Sequence, residues 1–442
     1  MNLLGKKVTA FALTGAFSLS AVFSPVLTGA LSFSGLSVAS AANRPTTMST
    51  NGMVTTPHYL ASQAALEILR NGGNAVDAGI TAASTLAVVY PHMNSIGGDN
   101  FWLIYNAKTK ELKALNASGR SGEKVTIKFY QDRGYKKIPS RGYLAANSVP
   151  GAISGWGEAY KYAQKTMGNN LPWNQLLGSA IRYAENGFPV TPSQETWTKT
   201  NIDEKDKEFR ALQRFEGFQK TYLKANGVPY KVGEVFTQPE LAETLKVIAE
   251  KGATEFYKGE IAQKIVADVQ ANGGILTLKD FAEHTANWVE PISVNYRGYK
   301  AYNFPPNTQG MASLSILNIL NNFDVKKIGE GTADYYHIIV EATKKAFADR
   351  DKYLSDPTFV KIPLDSLLSE KHGINLAARI DTGKAVKDVK PLDPKGDTVW
   401  LGVVDKDGNA VSLTLTARKS PAVPVPRSAV GWIAGDDDSI SG

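Results

Sequence analysis

Between His58 and Tyr90 the chain is rich in Ala and Leu at helical spacing, and it is interrupted at Asn71-Gly72-Gly73. This pattern constrains the fold more than any other stretch. The glycines end one helix, Asn74 caps a second, and the two helices must pack together to bury their apolar faces. A turn at Gly97-Gly98 follows, then Phe101-Trp102-Leu103-Ile104-Tyr105, an apolar run of strand length. Lys108-Thr109-Lys110 turns the chain into a shorter strand, Leu112 to Asn116, and a hairpin is expected. Helices and strands in this order are compatible with an α/β (α+β) fold.

Further along, Thr237 stands before Pro239 and Glu240 in a capping pattern that opens an amphipathic helix through Leu241, Leu245 and Ile248 and ends at Gly252. Thr277 and Asp280 open another helix in the same way. Residues 334–353 carry an apolar face of Ile338, Val340, Ala342, Ala346 and Phe347, with a Glu341–Lys345 pair one helical turn apart. Residues 385–396, rich in Lys, Pro and Asp, read as a flexible connection that ends at Gly396-Asp397-Thr398. Val399 to Asp405 then has a strand pattern, Lys406-Asp407-Gly408-Asn409 a turn, and Ala410 to Thr416 a second strand. Thr398 thus sits where a linker enters a rigid hairpin.

With 442 residues, 43% of them hydrophobic and 21% charged, the chain can bury a large core. Residues 1–41 read as an export signal: Lys6 and Lys7, an apolar run from Val8, and Ala39-Ser40-Ala41 as the cleavage site, which predicts a secreted or extracytoplasmic protein. Removing that segment takes two of 49 basic residues and none of 42 acidic ones, leaving 47 against 42, too mild a surplus for a nucleic-acid partner. Cysteine is absent, which excludes disulfides, thiolate metal sites and a cysteine nucleophile. His58, His92, His284, His337 and His372 are scattered with no HExxH pair, so no metal site is expected. A G-x-S-x-G serine elbow fails, because Ser121 has Glu123 after it and Ser154 has Ala152 before it.

A threonine at the start of a strand is ordinarily a β-branched strand former and nothing more. The rest of the chain gives Thr398 another meaning. His58–Tyr90, Ser95-Ile96-Gly97-Gly98-Asp99-Asn100-Phe101, Ala117-Ser118-Gly119-Arg120 and Ser148-Val149-Pro150-Gly151 stand in one order. Gly187-Phe188-Pro189-Val190, Phe256-Tyr257-Lys258-Gly259, Tyr296-Arg297-Gly298-Tyr299, Pro305-Pro306-Asn307-Thr308-Gln309-Gly310 and Ala346-Phe347-Ala348-Asp349-Arg350 continue it. In that order and spacing the chain resembles the γ-glutamyltransferase family from about Ser49 to Leu413.

The resemblance implies the four-layer αββα sandwich of N-terminal-nucleophile hydrolases. It implies a precursor cut between Asp397 and Thr398, giving a large-subunit-like part (42–397) and the start of a small subunit (398–416), which together form a heterodimer. Thr398 becomes the nucleophile, and its freed α-amine, with a pKa near roughly 7.7–8.0, is a base on the same residue. Arg120 matches the arginine that pairs with the substrate α-carboxylate, and Thr416 a threonine that hydrogen-bonds the nucleophile. Asn307, Thr308 and Gln309 match a loop near the active site. The implied donor is a γ-glutamyl amide such as glutathione, the acceptor water or an amino-acid or peptide amine, and no cofactor is needed.

After Leu413 the resemblance fades. Arg418 stands where the family has an asparagine, and residues 417–442, with Pro421, Pro424 and Pro426 and ending near Asp436-Asp437-Asp438, read as an atypical, disordered tail. The expectation is a sandwich incomplete at its C-terminus, with family identity but impaired activity, because the family's oxyanion-holding glycines lie in the segment replaced here. Two alternatives stay open. One keeps the fold and changes the substrate, to a glutaryl or cephalosporin acylase or a poly-γ-glutamate depolymerase. The other is an inactive exported fragment or binding protein.

Overall fold

The computed structural model describes residues 46–139, 142–168, 170–202, 212–386 and 398–416. The expected signal segment, most of the 385–396 connection, Asp397, Arg418 and the tail lie outside the described residues. Everything below belongs to the compact unit that begins at Ser49.

The strands are β1 Gly52–Thr55, β2 Asn100–Asn106, β3 Glu111–Ala117, β4 Phe188–Pro189, β5 Val235–Phe236, β6 Asn287–Val289, β7 Ile292–Tyr296, β8 Tyr299–Asn303, β9 Thr398–Asp405 and β10 Ala410–Thr416. Six of them form one sheet in the order β1-β9-β10-β2-β3-β6, every pair antiparallel. The C-terminal hairpin is therefore inserted between β1 and β2, at the centre of the sheet. Both expected hairpins are present.

Alternation decides which way the hairpin faces. Val399, Leu401, Val403, Val411, Leu413 and Leu415 point into the core, while Thr398, Trp400, Ser412, Thr414 and Thr416 take the other side. Full burial of each aliphatic side chain contributes roughly 1.5–3 kcal/mol, so a one-residue slip of either strand would cost several such terms at once.

The helices that pack on the buried face come largely from the N-terminal half. Helices α1 (Tyr59–Arg70), α2 (Ala75–Val89) and α3 (Ala152–Thr166) meet the sheet, while α4 (Trp173–Asn186) packs behind α2 and α5 (Pro239–Lys251) packs on α4. Every residue of α2 is buried, the mark of a helix enclosed on all sides. It can lie this close to the sheet because of Gly79, where a Cβ would come within 3.0 Å of the Trp102 ring. Asn74 caps α2 as expected, its Oδ1 accepting from the Val76 and Asp77 amides in a capping box.

The last strands are tied to the same helix end. Asp405 Oδ2 accepts the Ala75 amide at 3.0 Å, while its Oδ1 accepts the Asp407 and Asn409 amides of the predicted turn. Gly408, with φ of +84°, supplies the left-handed residue that turn needs. A second core holds α6 (Gly310–Leu320), α7 (Ala333–Tyr353) and α8 (Glu370–Ala377) together through Ile319, Leu320, Ile338, Ala342, Ala346 and Leu376.

Three local expectations are corrected. Thr237 does not cap α5; Gln238 holds that position without a side-chain cap, its side-chain Nε2 instead donating to Val88 O at 2.9 Å, while Pro239 starts the helix. On α7, Glu341 pairs with Lys344 at 2.6 Å rather than with Lys345; Lys344 Nζ also donates to Val386 O at 3.0 Å, and the Val386 amide donates back to Glu341. Val340 leaves the apolar face of α7 and is 49% exposed. The Thr277–Asp280 capping box forms as expected.

Candidate active site

Thr398 is the first residue of β9 and lies directly opposite Thr416, the last of β10. Residues so paired have Cα atoms roughly 5 Å apart, and even spacing in both strands puts the two side chains on the same face. Thr416 is itself fixed. Its Oγ1 accepts the Asp99 amide at 3.2 Å, and its own amide donates to Asp99 O at 3.0 Å. With one lone pair engaged, the Thr416 hydroxyl hydrogen remains available to a neighbour on that face.

Asp99 leads into β2, whose partner β3 ends at Ala117, opposite Asn100. The turn beyond β3 carries Arg120, and its backbone is held at successive points. Ser118 N donates to Asn116 Oδ1 at 2.9 Å, and Gly119 N to Asp99 Oδ1 at 2.9 Å. Arg120 O accepts the Val149 amide at 2.9 Å, and Ser121 bridges to Ser148. The Arg120 side chain is exposed, and its guanidinium has no partner among the described residues.

The loop at Asn307 closes one side of this turn. Asn307 Oδ1 accepts from Asn116 Nδ2 at 2.9 Å, and its Nδ2 donates to Ser118 Oγ at 3.1 Å. Gln309 Oε1 accepts from Arg350 Nη1 at 2.8 Å, tying the loop to α7, while Thr308 Oγ1 bonds back to Phe304 O and Pro305 O. Phe101 and Phe304 meet edge to face at 5.5 Å, packing the loop onto the open side of the sheet.

The structure thus gathers Thr398, Thr416, Arg120 and the Asn307 loop at one end of the central strands. Sequence reading gave no role to Asp99 or Asn116, which join these pieces; a short polar side chain beside a strand end carries no periodic signal. Among the described residues no group of three or more His, Asp or Glu is arranged to hold a metal ion.

Comparison with known proteins decides what this arrangement belongs to. The family model for gamma-glutamyltranspeptidase matches residues 61–420, most of the chain and somewhat past Leu413. The chain belongs to the γ-glutamyltranspeptidase family. Its similarity to the glutathione hydrolase-like YwrD proenzyme of Bacillus subtilis is 43% identity, covering 82% of this chain and 66% of that protein. To the oxamate amidohydrolase proenzyme of Klebsiella pneumoniae it is 40% identity, covering 87% and 71%. The cephalosporin acylase of Bacillus halodurans superposes with a TM-score of 0.78 at 36% identity, over 91% of this chain and 72% of that one. The chain spans about two thirds of the length of the curated relatives it matches.

As a γ-glutamyltranspeptidase family member the chain has the mixed α/β N-terminal-nucleophile hydrolase fold. The described residues supply one large sheet with the helices on its buried face, and beside it the β7–β8 hairpin packed with α6 in a second core shared with α7 and α8.

Proposed function

We propose that this chain is the precursor of a γ-glutamyl hydrolase and transferase that cuts itself before Thr398. The observation that carries the reading is the pairing of Thr398 with Thr416, itself clipped to the residue that also holds the Arg120 turn. Similarity to a glutathione hydrolase-like proenzyme supports the donor class.

In the first step the Thr398 hydroxyl attacks the Asp397 carbonyl carbon. The C–N bond breaks, an ester forms on Oγ, and the amine takes the proton the hydroxyl released. Water then hydrolyses the ester, giving Asp397 a carboxylate and Thr398 a free amine and hydroxyl. That amine serves as base when the hydroxyl attacks the γ-amide of a donor, and the leaving amine carries away a proton. The acyl ester goes to water or to an acceptor amine. Arg120 binds the donor α-carboxylate with two parallel N–H groups, and Thr416 donates its hydroxyl hydrogen to Thr398 Oγ. Export with loss of residues 1–41 would place this chemistry outside the cytoplasm.

Release of the chromophore from a γ-glutamyl-anilide, compared with a glutaryl-amide, is the test. Release from the first, slowed by the replaced segment after Leu413, and still less from the second is expected; the reverse would favour a glutaryl acylase, the second reading, which the likeness to a cephalosporin acylase supports. Release from neither contradicts both.

A further inference from the structure

Asp99 stands at the junction between the nucleophile hairpin and the turn that carries Arg120. Its backbone exchanges two hydrogen bonds with Thr416, at 3.2 and 3.0 Å, while its carboxylate accepts the Gly119 amide at 2.9 Å. One residue therefore touches both the strand end opposite Thr398 and the residue before Arg120. The preceding Gly98 carbonyl accepts the Gly151 and Ala152 amides at 3.0 and 2.9 Å, which anchors the junction to the start of α3. A Cβ on Gly151 would come within 3.2 Å of Asp99 Oδ1, so the carboxylate lies against the N-terminal end of α3, where a helix favours negative charge.

We infer that Asp99 is a positioning residue whose carboxylate sets the placement of Arg120 relative to Thr398, and so the length of acyl group that spans from guanidinium to nucleophile. The inference rests on the γ-glutamyl reading above and deepens it. Gly119 has no side chain to brace the turn, and the Asp99 bond fixes it directly across from the hairpin. Without that bond the Asn116 and Val149 contacts still hold the two ends of the turn, but its middle is free to shift. A shift on the order of 1 Å between two binding points is costly to a substrate that must reach both.

Self-cleavage needs no external carboxylate, so it separates positioning from general damage. Asp99→Ala and Asp99→Glu, the latter moving the acceptor by one methylene, should raise KM for γ-glutamyl-anilide about tenfold. Both should leave the rate of self-cleavage within about twofold of wild type. Asp99→Asn, whose amide oxygen can still accept from Gly119, should keep KM near the wild-type value. In an Arg120→Ala background the effect of Asp99→Ala on KM should vanish, because the two changes remove one function. An unchanged KM in Asp99→Ala and Asp99→Glu, equal loss of hydrolysis and self-cleavage, or a fully additive double variant would each overturn the inference while leaving the donor assignment standing. A wild type inert toward γ-glutamyl-anilide would overturn the donor assignment and the inference together.

Discussion

In the proposed function Arg120 meets the donor carboxylate from a turn whose backbone is held on both sides. Arg120→Lys keeps the charge but loses the two parallel donors, so KM for γ-glutamyl-anilide should rise at least about tenfold. Self-cleavage, followed by gel, should be unchanged; equal loss of both would show a structural arginine. Motif order in the sequence pointed to Arg120 within a matched stretch, and to Thr398 and Thr416 only through the linker-to-hairpin pattern and the family resemblance. Their mutual placement was not legible there. Thr416 meets Asp99 across 317 residues of sequence, and Asn307 meets Asn116 across 191, contacts that no local pattern encodes.

At the scale of elements, local rules worked where a single turn satisfied itself and failed where a distant partner intervened. The Asn74 and Thr277 capping boxes and the Gly408 turn are self-contained and formed as read. Gln238 reaches Val88 on another helix, and Glu341 serves the Val386 amide as well as a lysine; both partners are remote in sequence.

His58 shows another hidden role, capping α1 by accepting the Leu60 amide on Nδ1, with its ring buried among Tyr59, Tyr90 and Phe188. Burial lowers its pKa from 6.5 to about 4, and burial together with the nearby His58 charge lowers that of His92 to about 3. Between pH 6.5 and 4 the unfolded chain therefore binds protons that the native imidazoles refuse, and stability falls as pH falls through that window. Asp77 opposes this. Burial raises its pKa from 3.8 to about 6, so the native state binds its proton first and gains stability as pH falls from about 6 to 3.8. Two imidazoles outweigh one carboxyl. His58→Asn keeps a good cap and removes one of the two, so the loss of unfolding free energy between pH 7 and 4.5, read from urea titrations, should shrink by on the order of 2–3 kcal/mol. An unchanged loss would mean that His58 is not a source of the acid sensitivity.

Across the whole molecule, the fold makes the hairpin at 398–416 an internal part of a sheet built mainly from the preceding chain. β9 pairs with β1 and β10 with β2, their core faces bury six aliphatic side chains, and Asp405 ties them to the start of α2. Cleavage before Thr398 should therefore not release the new C-terminal fragment. The two pieces are expected to elute together in size-exclusion chromatography without denaturant and to separate only in urea; separation under native conditions would contradict the central placement of the hairpin.

The proposed chemistry begins with one peptide bond breaking, before Thr398. Intact mass spectrometry of the purified chain, beside its Thr398→Ala variant, measures that directly. A fragment beginning at Thr398 and a partner ending at Asp397, both absent from the variant, are the predicted result. A wild-type chain that stays whole, or one that breaks at the same bond in the variant, would contradict it.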